Sequence, residues 1–144
     1  MNTPTDRDGM TLIDNGLEIL DPDACRDLLR RAVVGRVAVT LGALPAIFPV
    51  NYAILGEDIF FVTGDGTKLR AAVARTVVAF EADEFDTSRP GGWSVMAVGV
   101  AEEITDPGLI TAARGLGLRP FADGDRSHFI KIRPEFMSGR RIAH

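Results

Sequence analysis

Cysteine is nearly absent from this chain of 144 residues, and histidine is almost as scarce. The single cysteine, Cys25, excludes an intrachain disulfide and a cysteine-based zinc cluster. The two histidines, His128 and His144, are too few for a histidine metal site within one chain, so we predict no bound metal. A Ser-His-Asp triad would need one of these two imidazoles, and the sequence therefore names no catalytic acid or base.

Long apolar runs are missing as well. No stretch approaches the roughly 18 apolar residues of a membrane-spanning helix, and the N-terminus lacks the basic start and apolar run of a signal peptide. We therefore expect a cytoplasmic protein with no membrane partner. Residues 1–10 are predicted to form a flexible N-terminal tail, and residues 11–144 a single domain, because a chain of this length normally folds around one core.

Basic residues are outnumbered, since 16 Lys and Arg residues stand against 20 Asp and Glu residues and the net charge is −4. This balance speaks against a nucleic-acid partner, because binding to phosphate backbones usually depends on a basic patch. The C-terminal segment is nevertheless locally basic, with Arg126, Lys131, Arg133, Arg140 and Arg141. This segment is either a solvated strand or tail, or a place for a small anionic ligand.

Helix signals occur in three segments. Asp-Pro pairs at 21–22 and 106–107 combine a capping side chain with a proline suited to the first helical turn. They predict helices over about 21–32 and 106–116. Residues 67–74 contain strong helix formers and predict a short third helix.

Alternating and β-branched runs predict the strands, which lie at residues 33–41, 46–55, 59–63, 76–82, 93–105 and 127–133, with 139–142 as a further extension. The short connections between the first three strands require antiparallel pairing. Pro49 is expected to interrupt the second strand, and Gly99 to mark a bend or bulge. About six antiparallel strands in this length predict a mainly β fold, a small closed or partly closed barrel, since closure removes exposed strand edges.

A glycine-containing segment, Thr63-Gly-Asp-Gly-Thr67-Lys68, connects the third strand to the short helix. Glycines let the backbone approach a ligand, and the Thr67 hydroxyl and Lys68 ammonium supply donors that suit a phosphate. A structural interpretation fits equally well, in which Thr67 caps the helix and Lys68 lies on the surface. Lys68 stands out because the chain otherwise uses arginine, with Lys131 as its one other lysine.

Two further segments contain candidate binding residues. An interruption at Pro49 would leave backbone groups available to a planar polar ligand beside the Asn51 amide; the alternative is an edge strand with a structural proline. Trp93 and Ser94 place an indole next to a hydroxyl after a glycine-containing loop, although such a tryptophan more often lies in a core or an interface. The residues alone do not decide between these interpretations.

Five groups of residues, in their order and spacing, carry a resemblance to a known family. They are Val34-Gly-Arg-Val-Ala38, Phe48-Pro-Val-Asn-Tyr52, Ile59-Phe-Phe-Val-Thr63 with Gly66-Thr-Lys-Leu69, Ala79-Phe-Glu-Ala-Asp83, and Gly92-Trp-Ser-Val-Met-Ala-Val-Gly99. The chain resembles, from about Asp21 to Ile142, the pyridoxamine 5′-phosphate oxidase-like superfamily of FMN-binding split β-barrels. The resemblance is strongest to its small members related to the nitroimidazole reductases, although Val62 stands where those reductases carry a histidine.

The resemblance implies a six-stranded antiparallel split β-barrel that forms a homodimer, with FMN, or a deazaflavin in its place, in a groove between the subunits. The implied cofactor-binding residues are Pro49, Val50 and Asn51 along the flavin ring, Thr63, Thr67 and Lys68 at the phosphate, and Trp93 and Ser94 beside the ring. Nothing in the resemblance adds a catalytic residue.

The function implied by the resemblance is that of a flavin-dependent oxidoreductase. It would pass a hydride or electrons between a small-molecule donor, such as a nicotinamide or deazaflavin, and a small organic acceptor. The scarcity of His and Cys is compatible with this function, because the cofactor carries the chemistry. The alternative is a split-barrel dimer that stores, carries or senses a flavin without catalysis.

Overall fold

The computed structural model describes residues 13–14, 16–64, 68–88, 90–119 and 127–142. The helices in these ranges are α1 (Pro22–Leu29), α2 (Lys68–Ala72) and α3 (Pro107–Arg114). The strands are β1 (Ile13–Asp14), β2 (Leu17–Leu20), β3 (Val34–Leu41), β4 (Leu44–Leu55), β5 (Asp58–Gly64), β6 (Thr76–Phe85), β7 (Gly92–Glu103) and β8 (Ser127–Ile142). The predicted tail at residues 1–10 lies outside the described residues.

Six of these strands close into a ring. Neighbours follow the order β8, β5, β4, β3, β6, β7, and β7 pairs back onto β8, with every pair antiparallel. The predicted six-stranded antiparallel split barrel is thereby confirmed. The short strands β2 and β1 were not predicted; β2 adds to the far end of β8, and β1 pairs with β2.

The long strand β8 closes the barrel. Its first residues pair with β5, its last four pair with β2, and most of its length pairs with β7. A register shift between Val98 and Gly99 confirms the predicted bulge, where Gly99 faces Pro134. A Cβ at Gly99 would lie 2.0 Å from the Arg133 carbonyl oxygen, so the close approach of the two backbones requires glycine.

The predicted interruption of the second strand at Pro49 is wrong. Strand β4 is continuous, and Pro49 pairs with Arg36 of β3. The pairing of β4 with β5 begins at Tyr52, so the first part of β4 has a strand neighbour on one side among the described residues. Proline is tolerated there because an edge position does not need its missing N–H for a ladder hydrogen bond.

The barrel interior forms the main core, with Phe61, Phe80 and Ile130 among its fully buried side chains. A second apolar cluster lies outside the ring, where α3 covers the outward side chains of β5 and the start of β8; its buried members are Phe60, Val62, Ile104, Ala113 and Phe129. These two clusters leave the outward faces of the other strands without a covering helix among the described elements.

Helix α1 packs its buried side chains, Cys25, Leu28 and Leu29, into the same core as the barrel interior, with contacts to β7 and β8. Its start is as predicted: the Asp21 side chain accepts a hydrogen bond from the Ala24 N–H at 2.8 Å, and Pro22 occupies the first turn. Cys25 is fully buried, and burial raises the pKa of its thiol to about 11, with Asp21 adding to the shift and Arg26 opposing it. None of the described helices is long and apolar enough to cross a membrane.

Candidate functional site

One end of the barrel gathers four of the predicted site residues. Thr63, one residue before the end of β5, lies on the inward face and is 4% exposed, whereas Lys68 begins α2 and is exposed. Helix α2 packs against β3 and β5. Because Tyr52 pairs with Phe61, Val50 and Asn51 lie at this same end; Thr67 lies outside the described residues.

The two lysines of the chain have different surroundings. Lys131 pairs with Glu102, with 3.5 Å between Nζ and Oε1. Lys68 has no carboxylate partner among the described residues. An ammonium without a counter-ion suits an added anion such as a phosphate.

Asn51 and its neighbours face opposite sides of β4. Val50 is buried in the barrel interior, so Pro49 and Asn51 point outward. The Asn51 amide nitrogen donates a hydrogen bond of 2.8 Å to the Arg119 carbonyl oxygen, which ties β4 to the segment after α3. Any ligand along this part of β4 would therefore lie on its outward face.

Trp93 and Ser94 also face opposite sides. Trp93 is 5% exposed in the interior, and its Nε1–H donates a hydrogen bond of 2.9 Å to Glu84. Ser94 points outward between Asp83 of β6 and Arg140 of β8. Three strand spacings, about 14 Å, separate Ser94 on β7 from β4, so within one subunit the structure does not bring Ser94 next to Pro49 and Asn51.

The outward faces of β4, β3, β6, β7 and the later part of β8 follow one another around the ring and are together called here the outer wall. An apolar row crosses it in continuous register, formed by Ile47, Ala38, Ala79, Val98 and Phe136. Its ends are well exposed, Ile47 at 68% and Phe136 at 50%. The next row across the outer wall contains charged, polar and apolar side chains, namely Pro49, Arg36, Glu81, Met96 and Ser138.

A charged group lies on the outer wall beside the apolar row. Arg36 Nη1 is 3.3 Å from Glu81 and 3.5 Å from Asp83. Burial raises the pKa of Glu81 to about 7, helped by the hydrogen bond and charge of Asp83 and opposed by Arg36. Glu81 is therefore a carboxyl group that exchanges a proton near neutral pH.

A second charged group lies at the Thr63 end of the barrel. Glu103, the last residue of β7, accepts hydrogen bonds from Arg70 Nε at 3.2 Å and from His128 Nδ1 at 2.9 Å. Burial alone would raise the pKa of Glu103, but the hydrogen bonds and charges of His128 and Arg70 outweigh it and lower the pKa. Since an ionised carboxylate can only accept, the proton of this contact belongs to His128 Nδ1.

Two adjoining clefts open around Trp93. One of about 720 Å³ is lined by Arg31, Asp83, Glu84, Phe85, Asp86, Pro90, Gly91, Gly92 and Trp93. The other, of about 510 Å³, shares Arg31, Gly92 and Trp93 with the first. Trp93 borders both of these clefts, and neither of them is lined by Thr63 or Lys68.

Sequence reasoning missed Arg70, Glu103 and Arg36. No local pattern marks them, because each acquires its partners from a distant strand. Glu81 and Asp83 alternate along β6 and share its outward face, where Arg36 pairs with both. Within the described ranges, no group of three or more His, Cys, Asp and Glu side chains converges as metal ligands would.

Comparisons with known proteins match nearly the whole chain. A family model described as pyridoxamine 5′-phosphate oxidase matches residues 21–141. An uncharacterised protein of Mycobacterium tuberculosis is 38% identical over 128 residues, which is 85% of this chain and 84% of that protein. The structure of an FAD-binding protein from Mycobacterium smegmatis is similar with a TM-score of 0.76 and 33% identity, covering 88% of this chain and 98% of that one. A candidate pyridoxamine 5′-phosphate oxidase from Corynebacterium glutamicum has a TM-score of 0.77 and 27% identity, covering 91% and 97%.

Proposed function

The chain belongs to the pyridoxamine 5′-phosphate oxidase family, and we propose that it is a homodimeric flavin-dependent oxidoreductase. It transfers a hydride or electrons from a nicotinamide or deazaflavin donor to a small organic acceptor. The observation that carries the proposal is the whole-length similarity to a protein described as FAD-binding, at 33% identity. The flavin supplies the redox chemistry, and the protein binds and orients it.

The cofactor proposed is a flavin with a phosphate group. FMN is the form implied by the sequence resemblance, and FAD is the form named for the M. smegmatis protein. FMN and FAD both have a phosphate group attached to the ribityl chain. A deazaflavin is the third candidate, and extraction of the bound cofactor distinguishes the three.

Lys68 and Thr63 are the proposed phosphate contacts. The ammonium of Lys68, which has no carboxylate partner in the part of the chain that the structure describes, supplies positive charge, and Thr63 contributes a hydroxyl at the same end of the barrel. Thr67 belongs to the same proposed contact by its position between them in the sequence. A charge-assisted hydrogen bond to a phosphate oxygen contributes about 1.5–3 kcal/mol.

The outer wall is the proposed dimer interface. Its apolar row exposes large side chains at both ends, which is costly in a monomer and favours burial against a second copy. A single subunit leaves Ser94 about 14 Å from β4, so we propose that the flavin ring lies between subunits. Pro49 and Asn51 of one subunit and the Ser94 region of the other would then line the same groove.

A visible absorption spectrum of the purified protein tests flavin binding. We expect flavin absorbance, or its appearance after the addition of FMN, FAD or a deazaflavin, and chromatography of the extracted cofactor identifies which. A colourless protein that takes up none of the three contradicts the proposal.

Turnover separates an enzyme from a carrier. The bound flavin is reduced with a nicotinamide or reduced deazaflavin donor under anaerobic conditions, and small organic acceptors are then added. Catalytic reoxidation by one of them is expected. Stable flavin binding without turnover across a broad acceptor panel would instead favour the non-enzymatic carrier or sensor.

A further inference from the structure

Glu103 joins three separate elements at the proposed phosphate end of the barrel. It ends β7, and its two carboxylate oxygens bind different neighbours: Oε1 accepts from Arg70 of α2, and Oε2 accepts from His128 of β8. His128 in turn pairs through the backbone with Thr63 of β5. One carboxylate thus connects the helix that begins at Lys68 with the strand that neighbours Thr63.

Helix α2 depends on contacts such as the ion pair between Arg70 and Glu103. It has five residues, too few to be stable by itself, and is held by the burial of Leu69 and by contacts from outside the helix. Residues two apart on a helix point about 200° away from each other. The ion pair of Arg70 with Glu103 therefore fixes the rotation of α2 in the orientation that leaves Lys68 exposed.

His128 is held just as firmly. Its side chain is 14% exposed, and its Nδ1–H is committed to Glu103 at 2.9 Å. Because His128 and Thr63 are a register pair on β8 and β5, fixing the ring also limits how the ends of these two strands move relative to each other.

We propose that Glu103 is a positioning residue for the cofactor phosphate: through Arg70 it sets Lys68, and through His128 it sets Thr63. This inference rests on the proposed flavin function. Glu103 does not itself contact the phosphate, since two anions would repel each other. Because Glu103 acts only through the two residues proposed to contact the phosphate, its substitution should weaken flavins that carry a phosphate and spare those that lack one.

The adjacent residue Glu102 provides a matched control. It lies on the opposite face of β7 and pairs with Lys131 at 3.5 Å, away from α2 and His128. Glu103→Gln and Glu102→Gln remove the same charge from neighbouring positions of one strand. A difference between them cannot come from net charge.

The experiment measures dissociation constants of FMN, FAD and riboflavin, which lacks a phosphate, for the wild-type protein and both variants. Glu103→Gln should weaken FMN and FAD about tenfold, the loss expected when a hydrogen bond to a charged group is disturbed. Riboflavin affinity should change by less than about twofold. Glu102→Gln should match the wild type for all three ligands.

A second pair of variants keeps the test independent of folding defects. His128→Asn retains a side-chain N–H donor for Glu103 and should keep FMN affinity, whereas His128→Ala removes the donor and should lose it. The ³¹P resonance of bound FMN should move in Glu103→Gln and His128→Ala, and stay in His128→Asn.

Four outcomes overturn the inference. Equal weakening of riboflavin and FMN in Glu103→Gln means that Glu103 acts on general stability. Unchanged FMN affinity means that it does not position the contact. A wild-type protein that binds riboflavin as tightly as FMN retains the proposed flavin function but has no phosphate contact to position, whereas a protein that binds no flavin loses both proposals.

Discussion

Lysine is rare in this chain, and that rarity provides a clean test of the phosphate contact. We expect Lys68→Ala to weaken FMN binding by about 10- to 100-fold, which corresponds to the 1.5–3 kcal/mol of a charge-assisted contact. Lys131→Ala, which removes the lysine that is paired with Glu102, is the control and should leave the dissociation constant unchanged. Fluorescence titration with FMN measures both variants, and equal affinities for Lys68→Ala and the wild type would place the phosphate elsewhere.

Glu81 should make the stability of the folded protein depend on pH, and the raised pKa of its carboxyl group gives the direction. Its pKa is raised from 4.5 to about 7 in the folded protein, so the folded state binds this proton more tightly than the unfolded state. The resulting stabilisation is fully present below pH 4.5 and is lost as the pH rises through about 7. Glutamine does not titrate, so Glu81→Gln should avoid this loss.

The expected result is a difference in Tm that changes with pH. Between about pH 5 and pH 8, the Tm of Glu81→Gln should rise relative to that of the wild-type protein. Thermal unfolding followed by circular dichroism measures this, with Glu57→Gln in the exposed turn before β5 as the matched control. A constant difference across this range would mean that Glu81 does not bind its proton near neutral pH.

At the scale of the elements, closure of the barrel depends on the bulge between β7 and β8. Gly99 lies against the backbone of Arg133, and a Cβ there would be 2.0 Å from a carbonyl oxygen that cannot move without the strand. We expect Gly99→Ala to lower the free energy of unfolding by about 2–4 kcal/mol, in the range of overpacked buried sites.

Urea denaturation measures this loss, and Gly108→Ala in α3 is its control. The nearest atom to a Cβ at Gly108 is a side-chain oxygen of Asp106 at 3.3 Å. Alanine also favours helix, so the free energy of unfolding should change by less than about 1 kcal/mol. Similar values for the two variants would show that the bulge tolerates a side chain.

At the scale of the whole molecule, the two sides of the barrel differ. Helix α3 covers the outward side chains of β5 and the start of β8, whereas the outer wall keeps its apolar row exposed. Domains of this size bury apolar rows against a helix, a sheet or another subunit. This asymmetry is the physical basis of the proposed homodimer.

Ile47→Asp and Phe136→Asp should convert the protein into a monomer, because each places a charge at one end of the apolar row. Light scattering after size exclusion measures the mass, and the monomers should also lose flavin if the groove lies between subunits. Val33→Asp is the control, since Val33 is 69% exposed just before β3 and lies outside the row. A wild-type monomer at micromolar concentration would contradict the dimer.

The amino-acid sequence predicts those helices, strands and bulges that depend on residues close together in the chain. The capping aspartates, Asp21 and Asp106, begin α1 and α3 as predicted, because a cap depends on the next three residues. Alternation of apolar residues predicted the strands of the ring except residues 134–138 of β8, which join the two predicted segments into one strand, and Gly99 predicted the bulge. Thr63 and Lys68 were identified as a pair because they are close in the chain.

Features that depend on which strands become neighbours are visible only in the folded structure. Pro49 does not interrupt β4, because the described residues place a strand on only one side of β4 at this position. A hydrogen bond from residue 49 to a second neighbouring strand is therefore not needed. Trp93 and Ser94 separate onto two faces, and Glu103 meets Arg70 and His128 from remote positions in the chain. Local signals act through hydrogen bonds and side-chain periodicity over a few residues, whereas these contacts exist because closure of β7 onto β8 brings distant segments together.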